Sequence, residues 1–254
     1  MPTAKPPKTV IVIPARLEST RLPRKLLLDQ TGKSLIEHTY CSALCSELAS
    51  EVIVATDSRE ISDCVSSFGG KVVMTRTDHV SGSSRVAEAV ESLDAEIIVN
   101  VQGDEPEISG EAIDAAIRIL ANSSTAAIST LATPLETRAQ LEDPSVVKVV
   151  FDRQGRAMYF SRSPIPCPRQ WSDQLLTSKP ATFYQHVGLY AYRKSFMAEM
   201  VNLPAAVCET VESLEQLRFL DSGYEIQVGI VQDHASGIDT PEDYESFVRR
   251  LSAE

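Results

Sequence analysis

A basic loop follows the first apolar run of the chain. Residues 14–25 read PARLESTRLPRK and carry four cations within ten positions, namely Arg16, Arg21, Arg24 and Lys25. Prolines at both ends restrict this backbone, and arginine and lysine on a stiff loop suit a polyphosphate. A solvated charged loop is the alternative. The position favours the phosphate clamp, because open α/β sheets bind ligands beyond the carboxyl ends of their strands. The G-x-G-x-x-G signature of dinucleotide-binding folds does not occur here.

Two acidic residues are candidates for metal ligands. Asp104 follows an apolar strand in VNVQGDEP (99–106), at the point where the chain must turn. Asp239 lies in IDTPED (238–243), just before the last predicted helix, where it could instead serve the turn or the helix cap. Mg²⁺ takes one or two protein carboxylates together with substrate phosphates and waters. We therefore expect Asp104 and Asp239 to bind magnesium, although their spacing in the sequence does not show that they meet.

Five further residues could bind an anion or a sugar, each with an ordinary structural alternative. Arg76 and Arg85 flank a loop and the start of a helix, whose amides can hold an anion. His186 could simply be hydrogen-bonded within a half-buried strand, and Arg162 could be a surface charge at a strand end. Glu215 could be solvated on the outside of a helix.

The elements that must position these residues alternate between strand-length apolar runs and longer segments of helical period. This pattern predicts an α/β fold with a doubly wound, mostly parallel sheet covered on both faces. The predicted strands of this part are 9–14, 51–56, 71–75, 96–101 and 126–132. The predicted helices between them are 34–49, 59–68, 83–93 and 109–121.

The character of the sequence changes at about residue 133, where prolines become frequent and long helical segments stop. Residues 133–191 are predicted to form a smaller antiparallel extension or dimerisation lobe with strands at 146–151, 157–160 and 188–192. A helix over 209–221, a strand over 225–231 and a final helix from Pro241, capped by Thr240, complete the prediction. Residues 1–8 read as a loose tail, and 9–254 as a single domain.

Composition excludes several classes of function. The formal net charge of -11 argues against broad contact with nucleic acid or with an anionic membrane. The five cysteines are odd in number and contain no C-x-x-C pair, as expected for a reduced cytoplasmic protein. We expect neither a signal peptide nor a membrane anchor, since the N-terminal segment lacks a long apolar stretch.

With these motifs in order along nearly the whole chain, the sequence resembles the 3-deoxy-manno-octulosonate (Kdo) cytidylyltransferases, or CMP-Kdo synthetases. The similar segments are IPARLESTRLPRK (13–25), VATD (54–57), TRTDHVSGSSR (75–85), VNVQGDEP (99–106), VKVV (147–150), YFSR (159–162), HVGLYAYR (186–193), LEQLR (214–218) and IDTPED (238–243). Two positions depart from the usual pattern, in which glycine or serine stands at Arg24 and an acidic or polar residue stands at Ser84.

The resemblance implies roles for individual residues. CTP would be bound by Ala15, Arg16, Arg21, Lys25, Thr56, Asp57 and Arg76. Kdo would be bound by Arg85, Gln102, Arg162, His186, Tyr190 and Glu215. Catalysis would rest on Arg16, Lys25, Asp104 and Asp239, the last two holding Mg²⁺. The implied fold is of the nucleotide-diphospho-sugar transferase type.

The resemblance also implies a reaction, in which the anomeric hydroxyl of Kdo attacks the α-phosphorus of CTP and diphosphate leaves. The product, CMP-Kdo, would serve lipopolysaccharide synthesis in the cytoplasm, and the enzyme would be a homodimer. An enzyme that activates the 8-amino form of Kdo is one alternative, and a non-catalytic nucleotide-sugar-binding relative is another. A glycosyltransferase is disfavoured, because the strand before the site ends in Asp104-Glu105-Pro106 and lacks an Asp-x-Asp motif.

Overall fold

The computed structural model describes residues 6–79, 81–232 and 237–252, which form two compact units. The first unit comprises 6–117 with 237–252, and the second comprises 118–232. The sequence predicted a single domain with an extension over 133–191. The two compact units divide the chain differently, and the bounds of that extension stay a prediction. Within the described residues, no helix combines the length and the apolar character needed to cross a bilayer.

The first unit is built on a parallel sheet, which confirms the predicted doubly wound α/β fold. Its strands lie in the order β3-β2-β1-β4, and every neighbouring pair is parallel. Their bounds are β1 Thr9–Ala15, β2 Glu51–Thr56, β3 Val72–Met74 and β4 Ile97–Asn100. All four therefore direct their carboxyl ends to one edge of the sheet, where the loops after β1, β2, β3 and β4 lie together.

Burial explains why the strand sequences are continuous apolar runs. Ile11, Val12 and Ile13 of β1 have no exposed surface, and residues 52–56 of β2 and all of β4 are also buried. A parallel strand covered on both faces has no solvated side, so alternation of polar and apolar residues is absent. The helices of this unit are α1 Leu35–Ala43, α2 Arg59–Ser67, α3 Gly82–Val90 and α9 Pro241–Ser252, and α4 Gly110–Asn122 begins in it.

The second unit carries a mixed sheet. β5 Ile128–Pro134 pairs antiparallel with β8 Tyr184–Arg193 and parallel with β9 Ile226–Ile230. β6 Lys148–Phe151 pairs antiparallel with β7 Ala157–Ser161 and with β8. The antiparallel strands within 133–191 are thus confirmed, with β8 beginning four residues earlier than predicted.

Several predicted helices have different bounds. The segment predicted as one helix over 209–221 forms two, α7 Val207–Glu212 and α8 Gln216–Asp221, because Ser213 adopts a left-handed backbone with φ 52° and ends the first. α1 ends at Ala43 instead of continuing to 49. Two short helices were not predicted, α5 Arg138–Glu142 and α6 Lys194–Met200.

Candidate active site

Lys25 lies at the centre of the site and joins the two acidic residues predicted as metal ligands. Its Nζ donates to a carboxylate oxygen of Asp104, to Oδ1 of Asp239 at 2.9 Å and to the main-chain oxygen of Ile238 at 3.1 Å. Burial opposes the charged ammonium, but the two carboxylates outweigh it and hold the pKa of Lys25 above its ordinary value. The structure therefore brings Asp104 and Asp239 to a single cation.

Asp239 is available to Lys25 because another acid caps the last helix. The Oδ2 of Asp243 accepts from the main-chain N–H groups of Asp239 and Thr240, and Thr240 Oγ1 accepts from the N–H of Asp243. The capping role considered for Asp239 thus belongs to Asp243, while Thr240 caps α9 as predicted. Asp239 instead also pairs with Arg21, whose Nη2 lies 2.9 Å from Oδ2.

These residues border a cavity of about 340 Å³ in the first unit. Its wall carries four cationic side chains, those of Arg16, Arg21, Lys25 and Arg85, against the three acidic ones of Glu18, Asp104 and Asp239. Ala15 and Gln102, predicted for the nucleotide and the sugar, also line it. Clustered arginine and lysine favour an anionic ligand in a protein whose net charge is strongly negative.

Close packing holds the loop after β4 against the basic loop. A Cβ on Gly103 would lie 3.1 Å from the main-chain oxygen of Pro14 and 3.4 Å from two carbons of Leu26, so glycine permits the approach. The buried hydroxyl of Thr39, on α1, donates to the main-chain oxygen of Gly103 at 2.9 Å. This hydrogen bond fixes the turn that precedes Asp104, and the sequence offered no signal for it.

Glu105, next to Asp104, is buried, and its Oε2 has no hydrogen-bond partner among the described residues. Burial, and then the charge of Asp104, raise the pKa of Glu105 to about 8. The side chain of Glu105 is therefore largely protonated at neutral pH.

Arg24 departs from the usual glycine or serine, and the structure shows how the larger residue fits. Its backbone is left-handed, with φ 56°, a conformation that glycine adopts most easily. The guanidinium of Arg24 is paired with the carboxylate of Glu60 on α2. The extra cation is thus engaged by a neighbouring helix.

Three residues predicted to surround the nucleoside lie outside the cavity lining, namely Thr56, Asp57 and Arg76. Thr56 is buried, and its hydroxyl accepts from the N–H of Ser58 at 3.1 Å. Asp57 pairs with Arg85, whose Nη2 lies 2.8 Å from Oδ2, in a largely buried contact. Arg85, assigned to the sugar by resemblance, therefore contacts a residue assigned to the nucleoside.

Sequence reasoning gave no role of its own to His79, which lines the cavity wall beside Ser81 and Gly82 of the predicted anion-holding helix start. Ser81 caps α3 through its hydroxyl, which accepts from the N–H of Ser84 at 3.2 Å. The hydroxyl of Ser84 completes the capping box by accepting from the N–H of Ser81. The serine that departs from the usual pattern at this position therefore stabilises the start of the helix. His79 lies within the segment TRTDHVSGSSR (75–85), and the resemblance of that segment to the family was the available signal for it.

The second unit holds the other four predicted sugar-binding residues. His186 and Tyr190 lie on β8, where a β-bulge interrupts the pairing with β5. Their ring centroids are 5.3 Å apart, whereas residues four apart on a regular strand are separated by about 13 Å. The bulge therefore brings the two rings together, and bulges of this kind are frequent beside active sites.

Hydrogen bonds orient this pair further. Nε2 of His186 lies 2.9 Å from Oγ1 of Thr130, whose own hydroxyl hydrogen can go to the main-chain oxygen of Leu189 at 2.8 Å. Burial, followed by the neighbouring Tyr192 and Glu215, raises the pKa of Tyr190 well above its usual value. Tyr190 thus keeps its hydroxyl hydrogen and can donate it, and Glu215 lies within electrostatic reach of it.

Arg162 is tied to the main chain of its own unit. Its Nε donates to the oxygen of Glu212 at 2.7 Å and its Nη1 to that of Pro144 at 3.0 Å. The main-chain oxygen of Arg162 in turn accepts from the buried ammonium of Lys148 at 2.6 Å. Both ends of Arg162 are therefore held, and its position follows from these contacts.

A divalent cation fits the chemistry of Asp104 and Asp239. Among the described residues, no three His, Cys, Asp or Glu side chains cluster as a complete metal site. Two carboxylates that converge on one cation nevertheless supply the oxygen ligands that Mg²⁺ uses together with phosphates and waters. These two side chains would hold the ion, with the remaining ligands coming from substrate and solvent.

Comparison with known proteins adds independent findings. A sequence profile described as cytidylyltransferase matches residues 10–226. The 3-deoxy-manno-octulosonate cytidylyltransferase of Rhodopirellula baltica is 45% identical over 97% of this chain and 100% of its own. That of Geobacter sulfurreducens is 44% identical over 94% of this chain and 98% of its own.

Solved structures agree with these relatives. A CMP:2-keto-3-deoxy-manno-octonic acid synthetase complexed with CTP superposes with a TM-score of 0.90 at 40% identity, covering 97% of this chain and 99% of that one. The 4-diphosphocytidyl-2C-methyl-D-erythritol synthase of Anaerococcus prevotii shares the fold at 15% identity, with a TM-score of 0.63 and coverage of 98% and 100%.

Proposed function

This chain belongs to the 3-deoxy-manno-octulosonate cytidylyltransferase family, and we propose that it converts CTP and Kdo to CMP-Kdo and diphosphate. The observation that carries this proposal is the convergence of Lys25 with Asp104 and Asp239 beside a cavity rich in cations. The full-length likeness to relatives of this activity, and to a synthetase solved with CTP, supports both the nucleotide and the sugar.

The basic loop binds the triphosphate in this proposal. Arg16 is exposed in the cavity wall, and Arg21 lies on the same loop, so both can contact phosphate oxygens. Lys25 moves from its two carboxylates to the phosphates as the nucleotide enters. Negative charge that develops on these oxygens during the reaction is stabilised by the same cations.

The reaction is a single displacement at phosphorus. The anomeric oxygen of Kdo forms a bond to the α-phosphorus of CTP, the bond from that phosphorus to the bridging oxygen breaks, and diphosphate leaves with its electron pair. The proton of the attacking hydroxyl passes to solvent. Mg²⁺ held by Asp104 and Asp239 would supply Lewis-acid activation of that hydroxyl.

The residues proposed for Kdo are those that the family resemblance implies, namely Arg85, Gln102, Arg162, His186, Tyr190 and Glu215. A neutral Tyr190 can donate to a sugar oxygen, whereas Glu215 can accept from a sugar hydroxyl.

The product supplies lipopolysaccharide synthesis, and the enzyme works in the cytoplasm as a homodimer formed through residues 133–191. Exposed apolar side chains on β7, those of Met158 and Tyr159, are compatible with a contact in this segment. Light scattering on the purified protein tests this point, and a monomer at micromolar concentration contradicts it.

Two alternatives are less well supported. A non-catalytic binding protein would not need Lys25 in contact with Asp104 and Asp239. Activation of the 8-amino form of Kdo remains chemically close, because the two sugars differ by one substituent. The relatives named above carry the Kdo activity in their names, which favours Kdo.

Diphosphate release by the purified protein tests the proposal. We expect release with CTP, Mg²⁺ and Kdo together, and much less when ATP, GTP or UTP replaces CTP or sialic acid replaces Kdo. An Asp104→Ala variant should lose more than about 100-fold in turnover, the size of effect seen when a catalytic electrostatic group is removed. Diphosphate release with the 8-amino sugar but not with Kdo would contradict the proposal. So would a rate of release that Asp104→Ala leaves unchanged.

A further inference from the structure

Glu88, on α3, accepts hydrogen bonds from two residues of the preceding loop. The main-chain N–H of Arg76 lies 3.2 Å from Oε1, and Nε of Arg76 lies 3.2 Å from Oε2. Nε2 of His79 bonds the same Oε2. A carboxylate can only accept, so His79 carries its proton on Nε2. Glu88 therefore sets both the course of the loop at Arg76 and the orientation of the His79 ring.

Two neighbours on the same helix hold the same loop. Oγ of Ser84 lies 3.2 Å from Nδ1 of His79 and also 2.9 Å from the main-chain oxygen of Ser81, so both ring nitrogens have a polar neighbour. Nη1 of Arg85 donates to Oγ1 of Thr75 at 2.6 Å and to the main-chain oxygen of Arg76 at 3.4 Å. Ser84, Arg85 and Glu88 lie within one turn of helix, where residues three and four apart share a face.

The charge on Glu88 is kept by these contacts. Burial acts to raise the pKa of Glu88, but the hydrogen bonds from His79 and Arg76 outweigh it and leave the pKa below its ordinary value. The carboxylate is thus ionised at neutral pH, and hydrogen bonds to an ionised acceptor are stronger than those between neutral groups.

The loop that Glu88 holds is part of the cavity. The side chain of His79 is only 6% exposed, and it lines the cavity together with Arg85. A ring with a polar neighbour at each nitrogen cannot turn without losing one of these contacts. The shape of this wall therefore depends on Glu88, which does not itself line the cavity.

We infer that Glu88 is a positioning residue for nucleotide binding, which acts through His79 and Arg76 on the wall of the cavity that takes CTP. The inference rests on the proposed function. Because its partners are loop residues, loss of Glu88 should displace the loop while the parallel sheet keeps its fold. The reacting groups around Lys25 lie on other segments, so the chemical step should be preserved once both substrates are bound.

The test compares Glu88→Gln with Glu245→Gln, a control in which a helical glutamate loses an exposed contact to Arg249 at 3.8 Å. CTP binding is measured by calorimetry without sugar, and steady-state kinetics are measured with both substrates. We expect Glu88→Gln to raise the Kd and KM for CTP about tenfold, the effect of losing charged hydrogen bonds that order a binding loop. The kcat and the KM for Kdo at saturating CTP should stay within about twofold, as expected when only binding of one substrate is weakened.

A double-mutant cycle with His79→Ala shows whether Glu88 acts through the ring. His79→Ala alone should weaken CTP binding by a similar factor, and the double variant should be little weaker than either single one, since partners in one network are not additive. If Glu88→Gln fails to fold, Glu88→Asp, which keeps the charge but shortens the reach, is expected to show a smaller rise in KM for CTP.

Three results would overturn the inference. The first is a Glu88→Gln variant that binds CTP as tightly as the wild type. The second is a Glu88→Gln variant with a lowered Tm in which kcat falls and both KM values rise by similar factors. The third is additivity of the two substitutions. Wild-type protein that binds no CTP would instead refute the proposed function, and the inference with it, and the wild-type calorimetry separates that outcome from the others.

Discussion

Lys25 and Asp239, which are 214 positions apart in the chain, are joined by a hydrogen bond of 2.9 Å from Nζ to Oδ1. The same ammonium bonds Asp104, so a protein cation stands between the two carboxylates assigned to magnesium. A lysine and a divalent ion cannot occupy this position together. In the mechanism proposed above, Lys25 therefore competes with the ion for these carboxylates, and the phosphates of CTP draw the lysine away.

Replacing Lys25 by Met should therefore strengthen metal binding in the absence of nucleotide while abolishing turnover. We expect Mn²⁺, followed by electron paramagnetic resonance of the free ion, to bind nucleotide-free Lys25→Met at least about tenfold more tightly than the wild type, because two carboxylates lose a competing cation. Lys33→Met, at an exposed lysine of the same unit, serves as the control and should bind Mn²⁺ like the wild type. Equal affinity of Lys25→Met and the wild type would show that the lysine does not compete.

Thr39 should influence catalysis without contacting substrate. Thr39→Val keeps the volume but removes the hydroxyl that donates to the main-chain oxygen of Gly103. We expect kcat/KM to fall about tenfold, since a buried carbonyl loses its donor beside Asp104. Thr39→Ser retains the hydroxyl and should stay near wild type. The prediction fails if the serine variant is as impaired as the valine variant, because packing and not hydrogen bonding would then explain the loss.

Lys148 should be a determinant of stability in the second unit. Its buried ammonium donates to the main-chain oxygens of Asp143, Val146 and Arg162, at 2.9, 2.6 and 2.6 Å. Lys148→Met leaves these oxygens without their donor and is expected to lower the free energy of unfolding by about 2–4 kcal/mol. Urea denaturation measures the loss. Lys179→Met, at an exposed site in the same unit, should change it by less than about 0.5 kcal/mol, and a similar value for both variants would contradict the assignment.

The pair of Glu209 and Arg218 predicts a pH dependence of stability. The hydrogen bond from Arg218 is the main cause that holds the pKa of Glu209 below its ordinary value of 4.5. A lowered folded pKa contributes stability above about pH 4.5, which is lost as pH falls through the folded value. The difference in Tm between wild type and Glu209→Gln should thus be widest near pH 7 and shrink below about pH 4.5. Glu142→Gln, which breaks an exposed pair with Arg138, is the control, and a difference independent of pH would refute the prediction.

The strands and helix ends that could be predicted are those whose sequence pattern has a local cause. Strands β1 and β2 are buried on both faces and read as apolar runs, so their bounds agree with the prediction to within one residue. Thr240 and Pro241 begin the last helix by local chemistry and were recognised for that reason. The break between α7 and α8 depends on a left-handed Ser213, a residue type that carries no strong signal for this conformation.

The site shows the same limit. Asp104 could be predicted because a strand delivers it to the edge of the sheet, but its meeting with Asp239 depends on how distant segments pack. The bulge that joins His186 to Tyr190 has no sequence signature in β8 beyond a glycine. Glu88 and Thr39 act through tertiary hydrogen bonds to loops, and a single helical glutamate or threonine does not reveal such a partner.

The discontinuity of the first unit has a consequence for how the protein is made. Lys25 emerges from a ribosome long before Asp239, and at about 5–20 residues per second the 214 positions between them take roughly 10–40 s to synthesise. The whole second unit is translated within that interval. A nascent chain therefore displays its basic loop without the second carboxylate, and the two acids can be brought together only late in translation.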